Sequence, residues 1–239
     1  VKKSTEVIAI EKDKRLYSFL LDKIDTLFDT NSNPDPDPDR RTEVSSVRRS
    51  GSGSGLGLIN DDILKYEFKV ISKKLVVVGN LPYSISSPIL NKLIDNRGRI
   101  KALYATVQLE FGKRLAAAPD TKDYGSLSCY AQFYGDVKIL FKIPRGAFFP
   151  VPEVDSCFLK IDFEKRLDES IDQELLFKLI RFSFEKRRKT ILNSLASSGI
   201  FKSKEEAAVS LSKARISSDR RPETVSLQEF IFLSAQTIK

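Results

Sequence analysis

The run Leu75-Val76-Val77-Val78-Gly79 constrains this chain most. It is short, β-branched at its centre and free of polar alternation, which is the pattern of a strand buried inside a sheet. Val7-Ile8-Ala9-Ile10 repeats the pattern and is closed by Glu11, and Leu58-Ile59 is closed by Asn60-Asp61-Asp62. Strand-like runs alternate with helical stretches up to about Phe163, so the fold class is α/β. Open α/β sheets bind ligands where their strands end, and Asn80-Leu81-Pro82-Tyr83 falls directly after the Leu75 run.

Those four residues offer an amide, a rigid carbonyl and an aromatic face. The exocyclic amine of adenine is a poor nucleophile because its lone pair is delocalised into the ring. Acceptors for both of its N–H groups localise that pair, and Asn80 Oδ1 with a carbonyl in the Pro82 region are the candidates. Tyr83 would stack on a base taken out of its helix. The chain has no histidine, and this chemistry needs no general base at neutral pH. The competing reading is a strand-end turn in which Asn80 supports the loop and Tyr83 packs. Upstream, Glu11 is placed to hold a ribose and Asp62 to accept from an adenine amino group, against the alternative of solvated charges at strand ends. Downstream, Ala147-Phe148-Phe149-Pro150-Val151-Pro152-Glu153-Val154-Asp155-Ser156 sets Phe148 before two prolines that fix the backbone, as a second stacking face or as core packing.

These blocks, in this order and at these separations, resemble the ribosomal RNA adenine N6,N6-dimethyltransferases, the KsgA-like and Erm-like superfamily, with the small-subunit, KsgA-like branch nearest. The resemblance extends to Val107-Gln108-Leu109-Glu110-Phe111 with Arg114, to Thr121-Lys122-Asp123-Tyr124-Gly125-Ser126-Leu127-Ser128, and to Arg187-Arg188-Lys189-Thr190-Ile191-Leu192-Asn193-Ser194-Leu195. It implies a Rossmann-like class I methyltransferase sheet and S-adenosylmethionine as cofactor. Glu11, Asp62, Ile63 and Asn80 would bind that cofactor, and Asn80, Pro82, Tyr83 and Phe148 would form the catalytic site. The family opens with a strand, a glycine-rich turn and a helix some twenty residues before the acid that Glu11 matches. This sequence starts ten residues before Glu11, so the sheet is expected to be N-terminally truncated.

Gly51-Ser52-Gly53-Ser54-Gly55-Leu56-Gly57 mimics a nucleotide loop, but it follows a polar stretch and runs into the strand expected from Leu58, the wrong context for binding phosphate. The span 31–57, with Pro-Asp repeats over Pro34–Asp39 and arginine pairs at Arg40-Arg41 and Arg48-Arg49, reads as a flexible insertion or linker. The expected organisation is a methyltransferase domain over 1–165 and a C-terminal all-helical, RNA-binding domain over 166–239. The latter has a turn at Ser197-Ser198-Gly199 and breaks near Ser217 and Pro222.

Forty Lys and Arg against thirty-two Asp and Glu give a net charge of +8, which favours a polyanionic partner. The candidate RNA-binding residues are Arg114, Lys186, Arg187, Arg188, Lys189, Arg220 and Arg221, and Arg97, Arg99 and Lys101 form a further cluster expected near the catalytic loop. Cys129 and Cys157 sit in apolar, strand-like surroundings that need no disulfide, and the absence of histidine leaves no metal-ligand cluster. No stretch is apolar enough to span a membrane, so the expected setting is the cytoplasm, with an organelle as the alternative, and the expected state a monomer. The expected activity is dimethylation of adenine N6 in small-subunit ribosomal RNA or its assembly intermediate. The alternatives are a catalytically silent ribosome-assembly factor that binds RNA and a relative acting as an organellar transcription factor.

Overall fold

A computed structural model describes residues 7–28, 47–49, 55–68, 74–186 and 188–237. They belong to two units, Val1–Lys69 and Val70–Lys239, and the boundary expected at 165/166 falls inside the second.

In the first unit, β1 (Val7–Glu11) leads into α1 (Lys14–Phe28). Asp13 fixes the start of α1: its Oδ1 accepts the N–H groups of Arg15 at 2.8 Å and Leu16 at 3.2 Å, satisfying donors that the first turn leaves open. β3 (Gly55–Asn60) lies parallel to β1 with Glu11 opposite Asn60, and β2 (Val47–Arg49) pairs antiparallel on the far side of β3. Leu58 and Phe68 are buried, with Tyr66 edge-on to Phe68 at 5.3 Å. The strand expected from Leu58 therefore begins three residues earlier, and residues 47–49 and 55–57 of the expected linker are strand. A ladder needs only backbone donors and acceptors, which glycine-rich sequence still carries. The Pro-Asp repeats, Arg40-Arg41 and Gly51-Ser52-Gly53-Ser54 lie outside the described residues.

The second unit starts with a parallel βαβ arrangement: β4 (Leu75–Asn80), α2 (Ser86–Asp95) and β5 (Ile100–Gln108). After α3 (Leu109–Ala116) and α4 (Ser126–Tyr134), β6 (Asp136–Ile143) and β7 (Ser156–Asp162) complete a mixed sheet in the order β4-β5-β7-β6, with β7 antiparallel to both neighbours. One face is sealed: Ala105 and Val107 of β5 and Cys157, Leu159 and Ile161 of β7 are buried, as is Leu115 of α3. On the other face Tyr104, Phe158 and Phe141 stack in a row at 6.3 and 5.2 Å. The Leu75 run differs from its reading as a strand buried on both faces. β4 is an edge strand among the described residues, its exposure alternates, and Val78 is 70 % exposed.

Cys157 lies on β7 as expected, whereas Cys129 lies on α4 and not on a strand. The short apolar stretch around it fits either period, and its thiol donates to the Tyr124 hydroxyl at 3.1 Å. Burial pushes that thiol up to about 11, so it is an inert packing group at neutral pH.

The helical end follows the expected breaks. α5 (Gln173–Glu185), α6 (Ile191–Ala196), α7 (Lys204–Lys213) and α8 (Leu227–Gln236) start at Asp172, Thr190, Ser203 and Ser226, whose side chains accept the N–H groups of Leu175, Asn193, Glu206 and Glu229. Gly199 takes φ +74° at the turn, a conformation glycine adopts without strain. α4 joins α5 through a cluster of Tyr130, Phe133, Tyr134 and Phe177, with Phe177 5.3 Å from the first two rings and 5.7 Å from the third. The Tyr134 hydroxyl also donates to Gln173 Oε1 at 2.9 Å.

α3 can lie close to β7 because Gly112 carries no side chain: a methyl there would stand 2.3 Å from Cys157 Sγ. Gly112→Ala should cost about 1–3 kcal/mol by overpacking, read as a lower Tm in thermal unfolding. Adding Cys157→Ala should restore part of the loss by removing the sulfur.

Candidate active site

Asn80 ends β4 opposite Thr106 of β5, and one further bond, from the Leu81 N–H to the Thr106 carbonyl at 3.0 Å, carries the pairing past the strand end. The chain then turns sharply. The Pro82 carbonyl accepts the Ile85 N–H at 3.1 Å and the Ser86 hydroxyl at 3.0 Å, so the turn uses both of its lone-pair directions. The Leu81 carbonyl and the exposed Asn80 amide have no hydrogen-bond partner among the described residues. Two acceptors at adjacent residues are thus left for a ligand.

The loop from β6 to β7 reaches the same end of the sheet, because β7 starts at Ser156 opposite Gln108, the last residue of β5. The Tyr83 hydroxyl and Ser156 Oγ share a hydrogen bond of 2.6 Å, and Ser156 is fully buried, so the ring of Tyr83 is held from behind. Asn80, Leu81, Pro82, Tyr83, Phe148, Phe149, Pro150 and Pro152 line a pocket of about 340 Å³. The sequence-derived residues Asn80, Pro82, Tyr83 and Phe148 are therefore brought together. Leu81, Ser156 and Phe149 are the additions. Ser156 was inside a recognised block, but nothing in that block announced a partner 73 positions away.

In the first unit, the parallel register puts Glu11, Asp62 and Ile63 at the carboxyl end of β1 and β3. Glu11 Oε1 accepts the Asp13 N–H at 2.7 Å, which leaves Oε2 without a partner among the described residues. Asp62 Oδ2 pairs with Lys12 Nζ at 2.8 Å and Oδ1 accepts the Leu64 N–H at 3.0 Å. The hydrogen bond from Lys12, followed by that from Leu64, holds the Asp62 carboxyl below its usual range, so it is ionised at neutral pH and only accepts. An acid with one open oxygen and an ionised neighbour fits a ribose and an amino group.

The basic residues divide. Arg114 is exposed on α3, and Arg188, Lys189 and Arg221 are exposed among the C-terminal helices, while Arg187 lies outside the described residues. Lys186 is exposed and donates to Ser197 Oγ at 3.0 Å. Arg220 is committed to the fold: its guanidinium pairs with both oxygens of Glu229 and donates to Thr224 Oγ1 at 3.2 Å and to the Thr224 carbonyl. Arg97, Arg99 and Lys101 are not near the pocket. They flank the start of β5, beside Leu75, roughly 15–20 Å along the strand direction from Asn80. α2 carries the chain back across the sheet between the two places, so closeness in sequence becomes opposite ends in space. Arg97 lies 4.8 Å from the Tyr134 ring and donates to the Ile94 carbonyl at 3.1 Å, and Lys101 pairs with Glu164 at 3.3 Å.

The family model for ribosomal RNA adenine dimethylase matches residues 42–233. The chain belongs to this family. It is 35 % identical over 236 residues to the ribosomal RNA small subunit methyltransferase A of Desulforapulum autotrophicum, covering 98 % of this chain and 75 % of that protein. To the protein of the same name from Moorella thermoacetica it is 45 % identical over 159 residues, or 66 % of this chain and 54 % of that one. Two solved structures share the fold. A dimethyladenosine transferase from Plasmodium falciparum superposes with a TM-score of 0.68 at 23 % identity, covering 95 % of this chain and 80 % of that one. The 23S rRNA methyltransferase ErmE gives 0.66 at 18 %, covering 99 % and 92 %. The class I methyltransferase sheet with a C-terminal helical region expected from the sequence is therefore the fold of this dimethylase family member. Methyltransferases of this kind use S-adenosylmethionine. No described helix is long and apolar enough to cross a membrane.

Glu229 gives the dimethylase chain an acid-sensitive joint. Burial pushes its carboxyl up, but the Arg220 guanidinium and the Ser226 N–H and hydroxyl outweigh this and hold it below the ordinary glutamate range. A depressed folded-state value contributes stability above the unfolded value and loses it as pH falls through the folded one. Arg220→Ala should cost about 1.5–3 kcal/mol at neutral pH. The Tm difference from the unsubstituted chain should shrink as unfolding is repeated at acid pH.

Proposed function

We propose that this chain transfers methyl groups from S-adenosylmethionine to N6 of adenines in small-subunit ribosomal RNA, forming dimethyladenosine. The observation that carries this reading is the pair of acceptors unpartnered among the described residues, Asn80 Oδ1 and the Leu81 carbonyl, at the strand end beside two aromatic rings. Both N–H groups of an adenine amine find an acceptor there, which turns the nitrogen lone pair out of conjugation and toward the methyl donor. The sequence pointed to the Pro82 region for the second acceptor. Because Ile85 and Ser86 already engage the Pro82 carbonyl, the free neighbour at Leu81 takes that role, and Pro82 shapes the turn.

Tyr83, held by Ser156, and Phe148 form the walls against which the extruded base stacks. Bound S-adenosylmethionine supplies an electrophilic methyl group on a positively charged sulfur. Glu11 would accept from its ribose, and Asp62 and Ile63 would hold its adenine. As the new N–C bond forms, the methyl–sulfur bond would break to leave a neutral thioether, and the nitrogen gains positive charge and then loses its proton to solvent, so no basic side chain is needed in the pocket. Arg114, Lys186, Arg188, Lys189 and Arg221 contribute phosphate contacts, with Arg187 assigned the same part from sequence. Relatives named as methyltransferases, together with an open acceptor pair, weigh against a silent assembly factor or a transcription-factor role.

Asn80→Ala should lower methyl transfer by about 10²–10³-fold, as removal of a hydrogen-bonding group aimed at the reacting atom does elsewhere. The check is incorporation of labelled methyl from S-adenosylmethionine into small-subunit ribosomal RNA, with RNA affinity measured alongside. Affinity should stay within about twofold, and undiminished transfer would remove Asn80 from the site. Ser156→Ala should free the Tyr83 ring and reduce transfer by about tenfold, with no change in the affinity for S-adenosylmethionine.

A further inference from the structure

Phe149 is the most exposed large apolar side chain among the described residues. It is fully in solvent, while Phe148 beside it is half-buried and both line the pocket. The loop that carries it is held at several points. The Ala147 N–H donates to the Pro144 carbonyl at 3.0 Å and the Phe148 N–H to the Arg145 carbonyl at 3.2 Å. The Arg145 N–H donates to Asp155 Oδ1 at 2.9 Å, and the Asp155 carbonyl accepts the Leu109 N–H at 2.9 Å, tying the loop to α3. Pro144, Pro150 and Pro152 fix three further backbone angles. A phenyl ring on such a loop gains nothing for folding where it stands, and it loses little conformational freedom if something stacks on it.

We infer that Phe149 is a wedge: its ring takes the stacking place beside the base that the target adenine leaves when it enters the pocket. This rests on the reading of the pocket as an adenine-N6 site. Extrusion of a base breaks a stack on each side of it, and the bases that remain in the strand need a flat apolar surface to replace the lost contact. Phe148 is half-buried and Phe149 is fully in solvent while both line the pocket, so neighbouring residues meet the two different partners. Arg145, exposed at the base of the same loop, adds a cation next to the strand being opened. Phe149 is thus a positioning and specificity residue for stacked substrates, and Asn80 and Leu81 remain the groups that touch the reacting nitrogen.

The test uses the full chain and two RNA probes, each with 2-aminopurine in place of one adenine. One is a small-subunit ribosomal RNA hairpin whose loop adenines are replaced in turn, and the other is an unstructured oligonucleotide of the same loop sequence. Unstacking is read as a rise in fluorescence on binding. The wedge predicts that Phe149→Ala lowers the equilibrium for extrusion in the hairpin by about tenfold and weakens binding of the unstructured oligonucleotide by less than that. Phe149→Trp should restore it. An equal rise for Phe149→Ala and the unsubstituted chain on the hairpin would overturn the wedge and leave the site reading intact. No rise with the unsubstituted chain at any position would overturn both.

Discussion

A single hydrogen bond, from the Leu81 N–H to the Thr106 carbonyl, holds the geometry of the pocket together. It extends the β4–β5 pairing one residue beyond the strand and stops Asn80 from swinging with the turn that follows. The turn then closes on its own Pro82 carbonyl, which leaves the preceding carbonyl and the Asn80 amide without partners among the described residues. From the other side, β7 pairs with β5 so that Ser156 arrives level with the end of the sheet and ties down Tyr83. The site is therefore a by-product of register. Two strand pairings decide where its acceptors and rings stand, and the loops fill in the remainder.

The separation of tasks within the second unit follows from the same sheet. One face carries the packed core, including Cys157 against the bare backbone of Gly112, and continues through α4 into the helices. The carboxyl ends of the parallel strands carry polar groups that the core does not consume. Stability rests on aromatic and aliphatic packing and on capped helices, and the groups proposed for chemistry hold almost none of it. This division is why substitutions at Asn80 are expected to report on transfer while those at Gly112 report on folding.

Much of this arrangement was legible in the chain. Apolar runs ending in Glu11, Asp62 and Asn80 gave the strands and their carboxyl ends, because β-branched residues followed by polar ones mark where a strand stops, although they did not reveal that β4 is an exposed edge. The breaks at Gly199, Ser217 and Pro222 placed the helical region. What was not legible depended on which groups were already taken. No pattern in Asn80-Leu81-Pro82-Tyr83 says that Ile85 and Ser86 occupy the Pro82 carbonyl, and none in Arg220-Arg221 says that Glu229 occupies the first arginine. The Arg97 cluster was misplaced because α2 reverses the chain between Asn80 and β5. The Cys129 stretch looked like a strand because nine mostly apolar residues carry too little period to choose a helix.

The Glu229 clamp on Arg220 has a bearing on how the charge of this protein is to be counted. A cation already neutralised within the fold, as Arg220 is by Glu229, displaces few counterions from a nucleic acid. The formal +8 is a sum over the sequence, whereas the steepness with which affinity falls as salt rises counts only the cations that reach phosphate. Under the proposed function that slope would be set by exposed side chains such as Lys186, Arg188 and Lys189, and composition alone gives no measure of it.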